Sequence, residues 1–250
     1  MTGEALTCIE RADEVLYLVA DPVAMSWLER RRPDARPLHP SYAAGAPRTD
    51  AYAAMVDEIM ERVRAGAHVC VAFYGHPGIF VNPSHAAIRR AQGEGFEARM
   101  LPAVSAEDCL FADLGVDPSA VGCQSYEATD LLLRRRKVDP STALVLWQIG
   151  VVGNLNYAPE GDTSKLPVLV DYLLRFYPAE HVVTVYEASL YVVCGPSIEE
   201  VALSSLARAN VSPMSTLYVP PATRARTDPE MRERLGLQTD AAAETRLART

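Results

Sequence analysis

No stretch of these 250 residues approaches the ~18 consecutive apolar residues that a membrane-spanning helix requires. The opening MTGEALTCIERADEV carries acids and no apolar core, so it is not a secretory signal. Both absences point to a cytoplasmic protein without a membrane partner. Positive charge is also short. Lys and Arg total 24 against 32 Asp and Glu, a net charge of −8, which argues against binding driven by nucleic-acid phosphates. Lysine is nearly missing, with Lys137 and Lys165 alone among the bases. The five cysteines, Cys8, Cys70, Cys109, Cys123 and Cys194, form no CxxC and no Cys/His pair at zinc spacing. Scattered in this way they read as reduced thiols, and no metal site is expected. There is no internal repeat and no low-complexity tract.

What is present is the composition of a soluble protein with a substantial core, 49% hydrophobic and 22% charged. The length fits one large domain or two ordinary ones. Residues 4–12 predict a helix. Val15-Leu16-Tyr17-Leu18-Val19 is a continuous apolar run, the pattern of a strand buried on both faces. Asp21-Pro22 ends it and opens a helix, and Pro33, Pro37 and Pro40 predict a loop. From Asp50 to Arg64, apolar residues recur at helical spacing, and Gly66 closes the helix. His68–Phe73 and Phe96–Met100 predict further strands, with a helix over Pro83–Gln92 between them. Ser105 followed by Glu107 and Asp108 has the form of a capped helix start. Strand and helix alternating in this order predict an α/β fold with a parallel sheet.

The rhythm changes after Asp117-Pro118. Gln124–Glu127 and Ala143–Gln148 read as extended, Leu166–Tyr177 as helix and His181–Tyr186 as strand. Ile198–Ala209 reads as helix, Ser215–Val219 as strand and Pro229–Leu235 as a short helix. The reading therefore divides the chain into an N-terminal α/β domain over 1–120, a C-terminal α/β domain over 121–222 and a tail over 223–250, the last fifteen residues of which are expected to be mobile.

The segment following the strand at 68–73 bears most directly on chemistry. Tyr74-Gly75-His76-Pro77-Gly78-Ile79-Phe80 is a tight turn at the carboxyl end of a parallel strand, where glycines let backbone approach a ligand. The plainer reading is that Gly75 and Gly78 only make the turn, and His76 and His85 are structural. Taken as a whole, FYGHPGIFVNPSHAAIRRAQGEGFEARMLPAVSAEDCLFADLGVDPSAVGCQSYEATD resembles the tetrapyrrole methylase superfamily. Within it, the chain is similar to the borosin-type peptide backbone α-N-methyltransferases. The resemblance continues through LVLWQIGVVG, LVDYLLRFYPAEH and STLYVPP and reaches about Leu235.

The resemblance implies a two-domain tetrapyrrole methylase-like fold, a parallel-sheet N-terminal domain followed by a mixed-sheet C-terminal domain, with S-adenosyl-L-methionine (SAM) held in the cleft between them. It implies cofactor contacts at Tyr74, His76, Ile79 and Phe80, at Ser105 and Ala106, and at Gln148, Ala188, Ser215 and Thr216. Individually, Ser105 also reads as a helix cap and Gln148 as a satisfied polar residue at a strand end. Arg48 and Tyr52 lie four apart at the start of a helix and share a face. Alone they read as a solvated Arg and a core Tyr. In the similar enzymes an Arg and a Tyr at matching places act on the substrate amide, and Tyr42 matches another family tyrosine. His39 stands where those enzymes carry tyrosine. It reads as a base near neutral pKa, as a mark of a different substrate, or as a loop residue beside Pro40.

Two further departures set expectations. Family members open with a strand and a glycine-rich turn ahead of the helix at Ala5–Arg11, and this chain starts inside that helix, so the true start is expected upstream of Met1. The tail DAAAETRLART has no apolar core peptide of the kind the fungal relatives methylate in themselves. A separate precursor peptide is therefore expected, with a homodimeric enzyme as in split systems. Two other functions stay open: a methyltransferase for a small, tetrapyrrole-type molecule, and a catalytically inactive protein that binds SAM or peptide.

Overall fold

The computed structural model describes residues 1–19, 21–191 and 193–237. The end of the expected tail, 238–250, lies outside the described residues. In chain order the elements are α1 (Gly3–Arg11), β1 (Glu14–Leu18), α2 (Pro22–Arg31), β2 (Arg36–Pro37), α3 (Arg48–Arg64), β3 (Val69–Phe73), α4 (Asn82–Gly93), α5 (Ala106–Leu114), α6 (Pro118–Val121), β4 (Cys123–Glu127), α7 (Ala128–Leu133), β5 (Ala143–Trp147), α8 (Leu166–Leu173), β6 (Val182–Glu187), β7 (Ser197–Ala202), β8 (Thr216–Val219) and α9 (Pro229–Arg234). The fold is α/β, with one parallel three-stranded sheet and one mixed five-stranded sheet. The described chain divides into two compact units. The first comprises Met1–Asp113 with Gly153–Glu160 and Ala188–Pro196, and the second Leu114–Val152, Gly161–Glu187 and 197–237.

The first unit is built on β1, which sits between β2 and β3 in parallel register, Leu16 opposite both Arg36 and Val71. Because side chains alternate across a strand, β1 feeds two cores. Leu16 and Leu18 pack with Ala51, Met55, Val56, Ile59 and Met60 of α3 and with Ala87 and Ala91 of α4. Val15, Tyr17 and Val19 pack on the other face with Ile9, Ala12 and Leu28. The α3 positions recur at helical spacing, so one stripe of the helix is buried. Arg32 closes the end of α1. Its guanidinium donates to the carbonyls of Ile9 at 2.6 Å and Ala12 at 2.9 Å, and it pairs with Asp34 at 2.7 Å. These are carbonyls that a helix C-terminus leaves without partners. The Tyr17 hydroxyl donates to Glu29 at 2.7 Å. Burial and that carboxylate push its pKa up to about 12.

Two expectations for this unit are corrected. Phe96–Met100 is not a strand; among the described residues it pairs with no neighbour in the sheet. It is tied instead to the end of α4, through Phe96 N–H to the Ala91 carbonyl and the Gln92 side chain to the Ala98 carbonyl. An extended apolar segment becomes a strand only with a partner, which local sequence does not specify. Conversely, Arg36–Pro37, inside the predicted loop, supplies the edge strand. Proline is tolerated there because an edge does not need every N–H.

The second unit has strand order β4-β5-β8-β6-β7. β4 and β5 are parallel; β8 pairs antiparallel with both β5 and β6, and β7 antiparallel with β6. Every residue of β5 is buried. Its core joins Leu144, Leu146, Ile149 and Val152 to Leu166, Leu169, Val170 and Leu173 of α8 and to Leu217 and Val219 of β8. Here the helix read over Ile198–Ala209 is corrected. Ser197–Ala202 pairs with β6 over six residue pairs, Glu187 with Ser197 through Val182 with Ala202. Only then does a short 3-10 turn, Leu203–Arg208, bury Leu203 and Leu206. Pairing with a strand already in place overrides the local helical pattern.

Gly150 shows how closely backbones approach in this unit. A Cβ there would lie 2.0 Å from the Ser212 carbonyl oxygen and 2.5 Å from its carbon. Both atoms are backbone, so no side chain can yield. Gly150→Ala is expected to destabilise the protein by about 2–3 kcal/mol, read as a lower urea midpoint at unchanged slope.

Candidate functional site

Most residues singled out from sequence lie in the first unit, and Gln148, Ser215 and Thr216 lie in the second. A first group begins where α3 begins. Arg48 opens that helix and Tyr52 follows one turn later. Arg48 Nη2 donates to the Asn154 carbonyl at 2.7 Å, and Nε reaches the Leu155 carbonyl at 3.5 Å. Tyr42 meets Tyr52 edge-on, with ring centroids 6.3 Å apart and planes at 80°. Burial, with the neighbouring phenols of Tyr52, Tyr74 and Tyr157, holds the Tyr42 phenol well above its ordinary value. It therefore stays protonated. Tyr74 is 55% exposed, yet enough protein surrounds its phenol, with Tyr52 nearby, to raise its pKa as well.

The structure thus brings together Arg48, Tyr52, Tyr42 and Tyr74. It adds Tyr157, which the sequence reading missed, with its ring stacked on Tyr42 at 4.5 Å. Tyr52 also lines a cavity of about 320 Å³ with Thr49, Ala53, Val56, Asn82 and Ala86. His39 begins a short 3-10 turn, His39–Ser41, three residues before Tyr42. Among the described residues no hydrogen bond joins its ring to the cluster, and burial lowers its pKa.

The second group is the turn after β3. The Gly78 N–H donates to His76 Nδ1 at 2.9 Å, which fixes that nitrogen as an acceptor and leaves the proton to Nε2. His85 Nε2 contacts the Gly78 carbonyl at 2.8 Å, and the Ser84 hydroxyl donates to the carbonyls of Pro77 and Val81. His85 is therefore a brace of the turn, as its sequence position suggested. A Cβ on Gly78 would meet Met100 Sδ at 2.6 Å. Ile79 is half-buried, and Phe80 is exposed at φ 56°, a left-handed conformation uncommon for a bulky residue. Such strain is kept where the surrounding structure enforces it, most often at ligand sites.

Ser105 caps α5 in a reciprocal arrangement. Its hydroxyl accepts from the Asp108 N–H at 3.2 Å and donates to Asp108 Oδ2 at 2.7 Å, and its own N–H donates to the same oxygen at 2.7 Å. These bonds, with His76 nearby, hold the Asp108 carboxyl below its usual range. The Ser105 hydroxyl is therefore committed to Asp108 at the start of α5. Ala188 follows β6 and begins the Ala188–Pro196 segment of the first unit.

In the second unit, Gln148 follows β5 in a left-handed conformation, φ 59° and ψ 36°. Ser215 and Thr216 are buried at the start of β8. The Ser215 hydroxyl donates to Glu187 Oε1 at 2.6 Å, the Ser212 hydroxyl donates to the same oxygen at 2.5 Å, and the Ser212 N–H donates to Ser215 Oγ at 2.9 Å. Glu187 thereby fixes the turn ahead of Thr216, a role that sequence spacing did not signal.

Residues 1–192 match the family described as Tetrapyrrole (Corrin/Porphyrin) Methylases. The chain belongs to that family, which places it in the methyltransferase class of enzymes. It is 42% identical over 226 residues to a methyltransferase/ribosomally synthesized cyclic peptide gymnopeptides precursor of Gymnopus fusipes, covering 88% of this chain and 54% of that protein. It is 41% identical over 228 residues to a methyltransferase/type I borosin cyclic peptide precursor of Coprinopsis marcescibilis, covering 88% and 58%. The chain spans a little over half the length of these curated relatives. Its fold is that of a cobalamin biosynthetic enzyme, cobalt precorrin-4 methyltransferase, with a TM-score of 0.60 at 16% identity and 88% of each chain covered.

These relatives correct one expectation. Each is named as methyltransferase and peptide precursor in a single protein, so a separate precursor peptide does not follow from the resemblance. No helix among the described residues is long and apolar enough to cross a membrane.

Two outcomes test this geometry. Ser105→Ala removes both sides of the cap and is expected to cost about 1 kcal/mol in urea unfolding. For His39, the folded pKa lies below its ordinary 6.5, so the unfolded chain binds the extra proton first as pH falls. Its contribution is present above about pH 6.5 and is lost as pH falls toward the lowered value. His39→Gln is therefore expected to flatten the decline in melting temperature on the acid side of pH 6.5.

Proposed function

We propose that the chain transfers methyl groups from SAM to backbone amide nitrogens of a ribosomally made peptide. The observation that carries this reading is Arg48, whose guanidinium grips the peptide carbonyls of Asn154 and Leu155 beside the Tyr42–Tyr52 pair. A site for amide methylation needs a cation suited to a peptide oxygen next to a group that can take a proton. The names of the relatives support the same acceptor class, and they weigh against a small tetrapyrrole-type acceptor.

The residues present suit SAM by the chemistry they offer. The turn over 75–80 presents backbone at Gly75, φ 65°, and at Phe80, and the ring of His76 carries an N–H at Nε2. Backbone groups, hydroxyls and an amide match a zwitterionic sulfonium better than a cluster of bases would. Tyr74, His76, Ile79, Phe80 and Ala106 are the proposed contacts from the first unit, with Ala188. Ser105 acts by holding the start of α5. In the second unit, Gln148, Ser215 and Thr216 are proposed cofactor contacts.

When bound, SAM supplies an electrophilic methyl group. The protein acts on the acceptor. An amide nitrogen is a poor nucleophile because its lone pair is delocalised into the carbonyl. Arg48 stabilises negative charge on the carbonyl oxygen as the nitrogen gives up its proton. Tyr52 relays that proton, its oxygen accepting it as its own hydroxyl proton passes to solvent, and Tyr42, kept protonated, donates to Tyr52 and steadies it. Residues that hold the acceptor nitrogen in place would lower the barrier further.

Calorimetric titration of SAM into the chain is expected to give micromolar binding; no binding would overturn the cofactor assignment. With an apolar peptide joined to the chain, since the relatives are named as methyltransferase and peptide precursor in one protein, mass spectrometry is expected to find methyl groups on backbone amides. Arg48→Ala and Tyr52→Phe should keep SAM affinity and lose on the order of 100-fold in rate. Methylation that survives both changes at full rate would sink the mechanism.

A further inference from the structure

The 153–160 segment provides the surface on which Tyr42 rests. The Tyr157 ring stacks on Tyr42 with centroids 4.5 Å apart and planes 21° apart. Its backbone is fastened on both sides: the Tyr157 N–H donates to the Ala46 carbonyl at 2.9 Å, and its carbonyl accepts from Gly45 N–H at 3.1 Å. Asn156 forms an antiparallel bridge with Pro47, and the Arg48 N–H donates to the Leu155 carbonyl at 3.2 Å. Asn154 is itself folded, its side-chain oxygen accepting from the Asn156 N–H at 2.9 Å. The Tyr157 ring is therefore delivered by a backbone that has little freedom, and Tyr42 passes that order to Tyr52 through its edge-on contact.

We propose that Tyr157 is a positioning residue for amide methylation, its ring fixing Tyr42 and through it the Tyr52 hydroxyl. The same segment sets the guanidinium of Arg48 through the carbonyls of Asn154 and Leu155. The inference rests on the function proposed above and adds to it a residue from a distant part of the chain. A tyrosine has two rotatable side-chain bonds, and the hydroxyl of Tyr42 lies at the far end of both. A ring face pressed on its own ring removes the rotation that would carry the hydroxyl off its partner. A displacement of about 1 Å at a proton-handling group is enough to lower a rate on the order of 100-fold.

The test compares Tyr157→Ala, Tyr157→Leu and Tyr157→Phe in the full chain with the appended peptide. Four quantities are read: the NMR resonances of the Tyr42 ring, kcat and KM for methylation, SAM affinity by calorimetry, and melting temperature. Alanine and leucine are expected to move the Tyr42 resonances downfield, by removing the ring current of the stacked face. They should lower kcat by on the order of 10–100-fold and leave SAM affinity unchanged. Phenylalanine keeps the face and should restore both the resonances and kcat. Leucine keeps the bulk without the ring, so it decides the matter if the alanine variant melts early. The proposal is overturned if Tyr42 resonances stay put in the leucine variant, if kcat does not follow them, or if phenylalanine is as impaired as leucine. Should the unmodified chain transfer no methyl group at all, the functional reading fails, and the Tyr42 resonances still decide whether Tyr157 holds that ring.

Discussion

Burial of a strand on both faces is the constraint from which each unit follows. β1 sends Leu16 and Leu18 to one side and Val15, Tyr17 and Val19 to the other, so helices must cover both faces. The stripe of Ala51, Met55, Val56, Ile59 and Met60 on α3 meets one of those faces. That packing sets where α3 begins, and its first residue is Arg48. The parallel register with β3 likewise ends at Leu18 opposite Phe73, which places the Tyr74–Phe80 turn at the carboxyl end of the strands, where open α/β sheets bind ligands. In the second unit β5 imposes the same demand, and the turn containing Gln148 and Gly150 follows directly from its end.

The site residues are held by bonds that have little to do with chemistry on a substrate. Asp108 and Ser105 satisfy each other, Glu187 gathers two serine hydroxyls, and His85 and Ser84 brace the turn that His76 shapes. Such outer bonds cost little at the surface and remove rotamers from the groups that face a ligand. Two positions pay in backbone strain, Phe80 and Gln148, both with positive φ and both among the expected cofactor contacts.

Much of this was legible from residues alone. The doubly buried strand, the α3 stripe, the Ser105 cap and the glycine turn are local patterns, and each stands where the sequence placed it. The resemblance to borosin-type methyltransferases rested on contiguous motifs and holds over most of the chain. Less legible were the elements that need a partner. Phe96–Met100 has strand composition and no strand beside it, whereas Arg36–Pro37 looks like a loop and completes the sheet. Ile198–Ala209 has a helical pattern, yet its first half pairs with β6.

By itself the sequence determined the periodicities and turn chemistry, because those interactions act between residues one to four apart. It also placed Arg48 and Tyr52 on one helix face, through the fixed geometry of a helical turn. What only tertiary structure decided is what those side chains meet. Arg48 finds the Asn154 carbonyl 106 residues away, and Tyr42 finds the face of Tyr157. A backbone carbonyl exists at every residue, and no spacing rule distinguishes the one a guanidinium will grip. That choice is made when the 45–48 and 155–157 backbones pair, and it depends on the path the whole chain takes to bring them together.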